Sequence, residues 1–181
     1  MPTKLQLTFT ADAPKGDAIT ICLIGKNCQI IPDLDQALAA HLIDAMAAFQ
    51  FTGAVGKTML VYHNQTSYLL IGTGAELRAG ATAEKLGGKL FSALAETGAK
   101  RGWLIDHKLD DQLLADICFG AELASYHFDR YFTDNKSADS QVQLFVTASG
   151  LQADSPIMAD RAGLEVAVSA AEAQRRTCRG I

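Results

Sequence analysis

The chain has 181 residues, of which 49% are hydrophobic and 20% are charged, a composition typical of one globular domain. Its formal net charge is −4, with 16 Lys and Arg against 20 Asp and Glu, so the sequence offers no broad basic surface for nucleic acid or an anionic membrane. The one basic cluster is Arg175, Arg176 and Arg179 near the C-terminus. Binding of nucleic acid or of a regulatory partner through these arginines is a hypothesis that the net acidity opposes.

The N-terminal part of the chain predicts two strands and a helix. Lys4–Thr10 alternates apolar and polar residues, as a half-buried strand does, whereas Ala18–Ile24 is apolar throughout, as a strand covered on both faces is. A helix is expected to open at Pro32 and Asp33, with Asp33 and Gln36 forming its cap. Its apolar stripe recurs at a spacing of three and four residues: Leu34, Leu38, Leu42, Ala45 and Phe49.

The middle of the chain predicts a strand pair and a second helix. Thr58–His63 and Ser67–Ile71 are short strands joined by a hairpin-like connection at residues 64–66, and residues 72–80 form a loop. Thr82, with Glu84 in the first turn, is expected to cap a helix that ends at Gly98. Its apolar stripe is Leu86, Leu90 and Leu94, and the interior pair Gly87 and Gly88 indicates a close approach to the sheet.

The remaining elements complete an alternating order of strands and helices. Arg101–Ile105 and Val142–Val146 are predicted strands, a helix starts at Asp110 or Asp111, and the chain is predicted to be helical from Pro156 onward. This order predicts a three-layer α/β/α sandwich around a mixed, mostly parallel sheet of about six strands. Residues 1–150 are expected to form the domain. Residues 151–181 are expected to form a helix that either frays at its C-terminal end or connects the domain to a further segment.

Two glycine-rich stretches invite comparison with phosphate-binding loops. Gly53–Thr58 (GAVGKT) contains the end of a phosphate-loop pattern, but a helix precedes it and a strand follows it, so a turn is favoured. Gly72, Thr73 and Gly74 follow a predicted strand directly, and the carboxyl end of a strand is where open α/β sheets bind ligands. These three residues are therefore either a small-ligand loop or a simple turn.

No catalytic or metal-binding constellation is evident in the sequence. The four histidines (His41, His63, His107 and His127) do not share the spacing of metal ligands. Asp106, Asp110 and Asp111 surround His107, and helix capping is favoured over cation binding for them. Cys22, Cys28, Cys118 and Cys178 form no C-x-x-C pair and are expected to be reduced and mostly buried. With no signal-peptide pattern and no apolar run of membrane-spanning length, a cytoplasmic location without membrane contact is predicted.

An aromatic-rich stretch follows the third predicted helix and carries a recognisable pattern. It reads G-x-x-L-x-x-Y-x-F-D-x-Y and comprises Gly120, Leu123, Tyr126, Phe128, Asp129 and Tyr131. Upstream, Phe51–Gly53 with Gly56 and Lys57 precedes a strand, and Leu69–Gly74 ends another. In this order and spacing, the three segments resemble the N-terminal domain of the leucyl aminopeptidase family. The aromatic residues are then expected to be structural, closing the third helix against the sheet.

The resemblance implies a macro-like domain that precedes a larger catalytic domain, which this chain lacks. In that family the catalytic domain holds two divalent metal ions, usually zinc or manganese, removes N-terminal residues from peptides, and assembles as hexamers. For this chain the resemblance implies no catalytic residues, metal or cofactor of its own. The implied partners are its own C-terminal catalytic domain and further copies of itself, and the implied role is in oligomer assembly and active-site access.

One alternative remains open at the level of sequence. A macro-like domain can also act as a free-standing module, and in that case Gly72, Thr73 and Gly74 would bind ADP-ribose or a nucleotide.

Overall fold

The computed structural model describes residues 5–32, 34–105, 109–128 and 141–147, and for residues 126–128 it describes the backbone alone. A short 3₁₀ turn at Lys26–Cys28 accompanies the helices and strands. The strands are β1 (Leu5–Thr10), β2 (Ile19–Gly25), β3 (Gln29–Ile30), β4 (Thr58–His63), β5 (Thr66–Gly74), β6 (Arg101–Leu104) and β7 (Val142–Thr147). The helices are α1 (Gln36–Ala48), α2 (Ala81–Glu96) and α3 (Asp111–Phe128).

The strands form one sheet in the order β1-β7-β6-β2-β5-β4, with β3 paired to β2 beside this path. All neighbours are parallel except β4, which runs antiparallel to β5, and β3, which runs antiparallel to β2. The prediction of a mixed, mostly parallel sheet is confirmed, with the two-residue β3 added to the six strands expected. The first two strands are not neighbours, since β7 and β6 lie between them.

Helices cover both faces of the sheet, which confirms the three-layer architecture. On one face, Ile21 and Leu23 of β2 belong to a core that includes Leu90 of α2 and Ile117 of α3. On the other face, Cys22 and Ile24 of the same strand belong to a core with Leu42 and Met46 of α1. Successive residues of a strand point to opposite faces, so the uninterrupted apolar run of β2 is what burial between two helix layers requires.

Helix α1 begins later than predicted, and its buried stripe differs from the predicted one at its C-terminal end. Its N-cap is Asp35, whose Oδ1 accepts hydrogen bonds from the backbone N–H of Ala37 at 2.9 Å and of Leu38 at 3.4 Å. Asp33, the predicted cap, lies outside the described residues. The buried stripe is Leu38, Leu42 and Met46, whereas Phe49 is 76% exposed because it follows the last turn as the C-cap. The prediction that Phe49 belongs to the buried stripe was wrong.

Helix α2 also begins differently from the prediction. Gly80 is its N-cap and Thr82 lies exposed inside the first turn, so Thr82 does not cap the helix. The backbone N–H of Gly80 instead donates to Oδ2 of Asp116, which lies on α3. The cap therefore comes from a residue that is distant in sequence. Local capping patterns, which consider only residues near the start of a helix, do not identify it.

The paired glycines of α2 lie against α3. The prediction that they allow a close approach to the sheet was wrong. A Cβ atom at Gly87 would lie 1.9 Å from the carbonyl oxygen of Ile117. At Gly88 the nearest atom, Cβ of Ala124, would be at 3.6 Å, an ordinary contact. Gly87 therefore lets the two helix backbones touch, and Gly88 leaves room for a methyl group.

The β4–β5 hairpin is tighter than the sequence indicates. Its loop is only Asn64 and Gln65, and both residues have positive φ, at 45° and 65°. Two left-handed residues are the geometry of the two-residue hairpin turn that matches the twist of its strands. Thr66, predicted to lie in the connection, is the first residue of β5.

Candidate functional site

The predicted ligand-binding residues lie at the carboxyl end of β5, in the middle of the sheet. Gly72, Thr73 and Gly74 are the last three residues of this strand and are buried, so they are part of β5 and not of a loop after it. Ile24 of β2 pairs with Gly72, and Gly25 pairs with Gly74 across an irregular step in the register. The segment thus lies at the carboxyl ends of the parallel strands, which is where a ligand site is expected in this class of fold.

A turn preceding β4 lies directly against this strand end. The N–H of Gly74 donates to the carbonyl of Gly53 at 2.9 Å, and the N–H of Gly56 donates to the carbonyl of Gly72 at the same distance. The N–H of Gly72 donates to the carbonyl of Lys57 at 2.8 Å. The N–H groups of Gly72 and Gly74 therefore already donate to backbone carbonyls. They are not available as donors to a bound anion.

These segments can lie in direct backbone contact because the residues at the contact are glycines. A Cβ at Gly72 would lie 2.1 Å from the carbonyl oxygen of Ala54, and a Cβ at Gly53 would lie 2.0 Å from that of Gly25. Distances this short exclude every residue with a side chain unless the backbone moves. We call this contact of Gly25, Gly53, Gly72 and Gly74 the glycine junction.

Polar side chains around the glycine junction also hold neighbouring segments together. The hydroxyl of Thr73, only 2% exposed, donates to the carbonyl of Ile24 at 3.3 Å. The thiol of Cys28 donates to the carbonyl of Phe51 at 2.7 Å. Both contacts join strand ends and turns that are far apart in sequence. The Gly53–Thr58 stretch is a turn that leads into β4, as was favoured over a phosphate loop.

The described cysteines are free thiols, two of which are deeply buried. Burial raises the pKa of the Cys22 thiol from 9.0 to about 12. Burial, with a smaller contribution from the charge of Glu122, raises the pKa of the Cys118 thiol to about 12. Both thiols are protonated at neutral pH, and a thiol in this state is neither a nucleophile nor a metal ligand. Cys178 lies outside the described residues.

Two of the histidines come together although they are distant in sequence. The rings of His41 on α1 and His63 on β4 are 4.5 Å apart between centroids and tilted by 41°. Nε2 of His41 is 3.3 Å from the carbonyl oxygen of Tyr62, and Nε2 of His63 is 3.0 Å from the side-chain amide of Asn64. These contacts hold α1 against the last residues of β4. His107 lies outside the described residues, and so does the side chain of His127.

The predicted aromatic signature begins at a close contact between α2 and α3. A Cβ at Gly120 would lie 1.9 Å from the carbonyl oxygen of Glu84, so Gly120 and Gly87 together permit the two helices to cross in backbone contact. Leu123 follows one turn later and is partly buried. The side chains of Tyr126 and Phe128 and the whole of Asp129 and Tyr131 lie outside the described residues, so their structural role stays a prediction.

Comparison with known proteins gives the family. The model of the N-terminal domain of the cytosol aminopeptidase family matches residues 25–135, which is more than half of the chain and contains the whole glycine junction. The chain belongs to this family. The resemblance noted from the three sequence segments is thereby confirmed. No curated protein matches the sequence closely enough to count as a relative.

Solved structures share the fold of this cytosol aminopeptidase domain. A mutant of tomato leucine aminopeptidase superposes with a TM-score of 0.64 at 17% identity, covering 86% of this chain and 34% of that one. The bottromycin maturation enzyme BotP superposes with a TM-score of 0.51 at 16% identity, covering 74% of this chain and 28% of that one. The chain thus spans about a third of the tomato enzyme.

The cytosol aminopeptidases are metal-dependent, so the donor residues of this domain were tested as a metal site. Among the residues that the structure describes, no group of three or more His, Cys, Asp or Glu side chains could hold a metal ion. Asp110 acts as a helix cap, because its Oδ1 accepts from the N–H of Gln112 at 2.8 Å and of Leu113 at 3.4 Å. None of the described helices is long and apolar enough to cross a membrane.

One residue with a structural role, Asp116, cannot be recognised from the sequence. Asp116 is 1% exposed, and its carboxylate accepts from the N–H of Gly80 and, at 2.9 Å, from the side-chain amide of Gln112. A carboxylate placed at the N-terminus of α2 complements the positive end of the helix dipole. The only signal in the sequence is an acidic residue within an otherwise apolar helix face, and that pattern does not identify its partner.

Proposed function

We propose that this chain is the non-catalytic N-terminal domain of a leucyl-aminopeptidase-type metallo-exopeptidase, which releases N-terminal amino acids from peptides. The observation that carries the proposal is the match of residues 25–135 to the N-terminal domain model of the family. The coverage of the tomato enzyme supports it, because 86% of this chain corresponds to only 34% of that protein. The chemistry then belongs to a catalytic domain attached to this one.

We further propose the metals and the partners of the parent protein. The catalytic domain of the parent protein holds two divalent ions, zinc or manganese, and the parent assembles as a homo-oligomer, a hexamer in the family pattern, in the cytoplasm. Within that assembly this domain acts in subunit contacts and in shaping access to the active site. Residues 151–181, which lie outside the described residues, serve as the connector to the catalytic domain.

The coding sequence beyond the Ile181 codon tests the proposal directly. We expect it to encode a second domain with the Lys, Asp and Glu residues of a two-metal peptidase site. A stop codon at that point would contradict the proposal. As a biochemical test, the 181-residue chain is incubated with leucine p-nitroanilide and manganese. No release of p-nitroaniline is expected, and turnover that persists after rigorous purification would refute a non-catalytic role.

Nucleotide binding by a free-standing module is not favoured. The backbone N–H groups of Gly72 and Gly74 donate to the carbonyls of Lys57 and Gly53, so they are not available to a phosphate. Titration calorimetry with ADP-ribose is expected to give no binding heat up to millimolar ligand. A saturable isotherm in this concentration range would revive the ligand site.

A further inference from the structure

Strand β4 forms one edge of the sheet in the part of the chain that the structure describes. Natural proteins block free edges with charged side chains, proline, bulges or covering segments, because an open edge pairs with other chains. The sequence of β4, Thr58–His63 (TMLVYH), contains no proline and no Lys, Arg, Asp or Glu. At the opposite edge, β1 places polar Gln6, Thr8 and Thr10 between its apolar residues.

The hydrogen-bond register shows which groups of β4 point away from the sheet. In an antiparallel pair, residues alternate between bonding to the partner strand and pointing away from it. The N–H of Gly72 donates to the carbonyl of Lys57, which fixes the odd-numbered residues of β4 as those bonded to β5. The carbonyl of Tyr62 lies 3.3 Å from the ring of His41, as expected for an outward residue. Leu60, at the centre of β4, therefore directs its N–H and C=O outward.

The side chains of β4 divide between the two faces of the sheet. Val61 and Met59 pack into the core beneath α1. Leu60 and Tyr62 point to the opposite face and are 36% and 68% exposed. In this register the pairing with β5 does not use the N–H and C=O of Leu60.

We propose that β4 pairs antiparallel with β4 of a second copy of this chain, about a two-fold axis at Leu60. Leu60 would then bond to Leu60 of the other copy, and Thr58 would lie beside the Tyr62 of that copy. The sheets of the two copies would become one continuous sheet. The inference rests on the assembly role proposed above and names the surface that performs it.

The lack of Lys, Arg, Asp and Glu in β4 favours a second copy over an unlike partner. Strand β4 contains no Lys, Arg, Asp or Glu, so no such charges face each other within the strand when it pairs with itself, and none is offered by which an unlike partner could be selected. Contacts about a two-fold axis use the same surface patch on both subunits and are the commonest in homo-oligomers. The carbonyl of Tyr62 has a second lone pair beside the one directed at His41.

A charge-reversal experiment tests the pairing at its axis. The 181-residue chain is studied by sedimentation velocity over micromolar to millimolar concentrations, and a concentration-dependent dimer is expected. Leu60→Lys and Leu60→Glu should each raise the dimer Kd at least about tenfold, because like charges then face each other directly. An equimolar mixture of the two variants should dimerise again, because only a two-fold contact at this residue pairs Lys with Glu.

Controls separate the edge from the fold and from the wider proposal. Gln6→Lys adds the same charge at the opposite edge and should leave the dimer unchanged, and unaltered circular dichroism should show that every variant is folded. A wild-type chain that stays monomeric would overturn the inference, and so would a dimer that Leu60→Lys does not weaken. In the second case assembly through another surface would still stand, and the coding sequence beyond Ile181 would still decide the peptidase proposal.

Discussion

At the scale of single residues, one buried carboxylate connects two helices. Asp116 of α3 accepts hydrogen bonds from the N–H of Gly80 and from the side chain of Gln112, and so it supplies α2 with the cap that its own sequence lacks. Helices begin with N–H groups that have no partner inside the helix, and burial makes an unpaired group costly. The carboxylate therefore stabilises both the start of α2 and its contact with α3.

Substitution of this residue should be costly. Asp116→Ala leaves the N–H of Gly80 without its partner, and we expect a loss of about 1–3 kcal/mol in the free energy of unfolding. Asp111→Ala, at an exposed position on the same helix, is the matched control and should change stability by about 0.5 kcal/mol or less. Urea denaturation followed by circular dichroism measures both. Equal midpoints for the two variants would show that the buried cap contributes nothing.

At the scale of elements, the packing of α2 on α3 is decided by where a methyl group can fit. Gly87 and Gly88 are neighbours in sequence, but only at Gly87 would a Cβ clash with the backbone of α3, since at Gly88 it would lie 3.6 Å from the carbonyl oxygen of Gly120. Two glycines in a helix interior lower its intrinsic stability, by about 1 kcal/mol each relative to alanine. For Gly87 the close contact of the helices offsets this loss, whereas Gly88 has no such contact.

This difference predicts opposite effects for two adjacent substitutions. Gly87→Ala should destabilise the fold by about 1–3 kcal/mol or more, because its Cβ would lie 1.9 Å from the carbonyl of Ile117. Gly88→Ala should stabilise it by up to about 1 kcal/mol, since its Cβ would make only a contact at 3.6 Å. Thermal melting of the two variants beside the wild type gives the signs. A common sign for both variants would contradict the described helix contact.

Local patterns predicted most of these elements, and long-range contacts account for what they missed. The apolar run of β2 and the stripe of α2 follow from the periodicity of adjacent residues, which is available in the sequence. The cap of α2 by Asp116 and the contact of Gly87 with Ile117 join residues 36 and 30 positions apart. No local rule identifies such partners. At Gly72–Gly74 the sequence left a small-ligand loop and a simple turn open, because it could not show that the N–H groups of Gly72 and Gly74 donate to backbone carbonyls of another segment.

At the scale of the whole molecule, stability should fall at alkaline pH. The folded state keeps the thiols of Cys22 and Cys118 protonated up to about pH 12, whereas the unfolded chain releases these protons above the ordinary pKa of 9.0. Because the folded-state pKa is raised, this contribution is fully present below pH 9.0 and is lost as the pH rises to about 12. Each thiol should lower the free energy of unfolding by roughly 1.4 kcal/mol per pH unit in this window.

The substitution Cys118→Ala isolates one of the two contributions. Urea denaturation at pH 7 and at several values above pH 9 should give a shallower loss of stability for the variant than for the wild type. The difference in slope should be roughly 1.4 kcal/mol per pH unit. Parallel slopes would show that the buried thiol is not protonated preferentially in the folded state.

The place of β7 in the sheet has a consequence for how the chain folds during synthesis. This strand, Val142–Thr147, lies between β1 and β6 and is the parallel neighbour of both. Until β7 leaves the ribosome, β1 lacks the strand that it pairs with in the described part of the chain. Contacts that close such long stretches of chain form slowly, and they leave apolar surface exposed in the meantime. A nascent chain that stalls before Val142 therefore presents Leu5, Leu7 and Phe9 to chaperones.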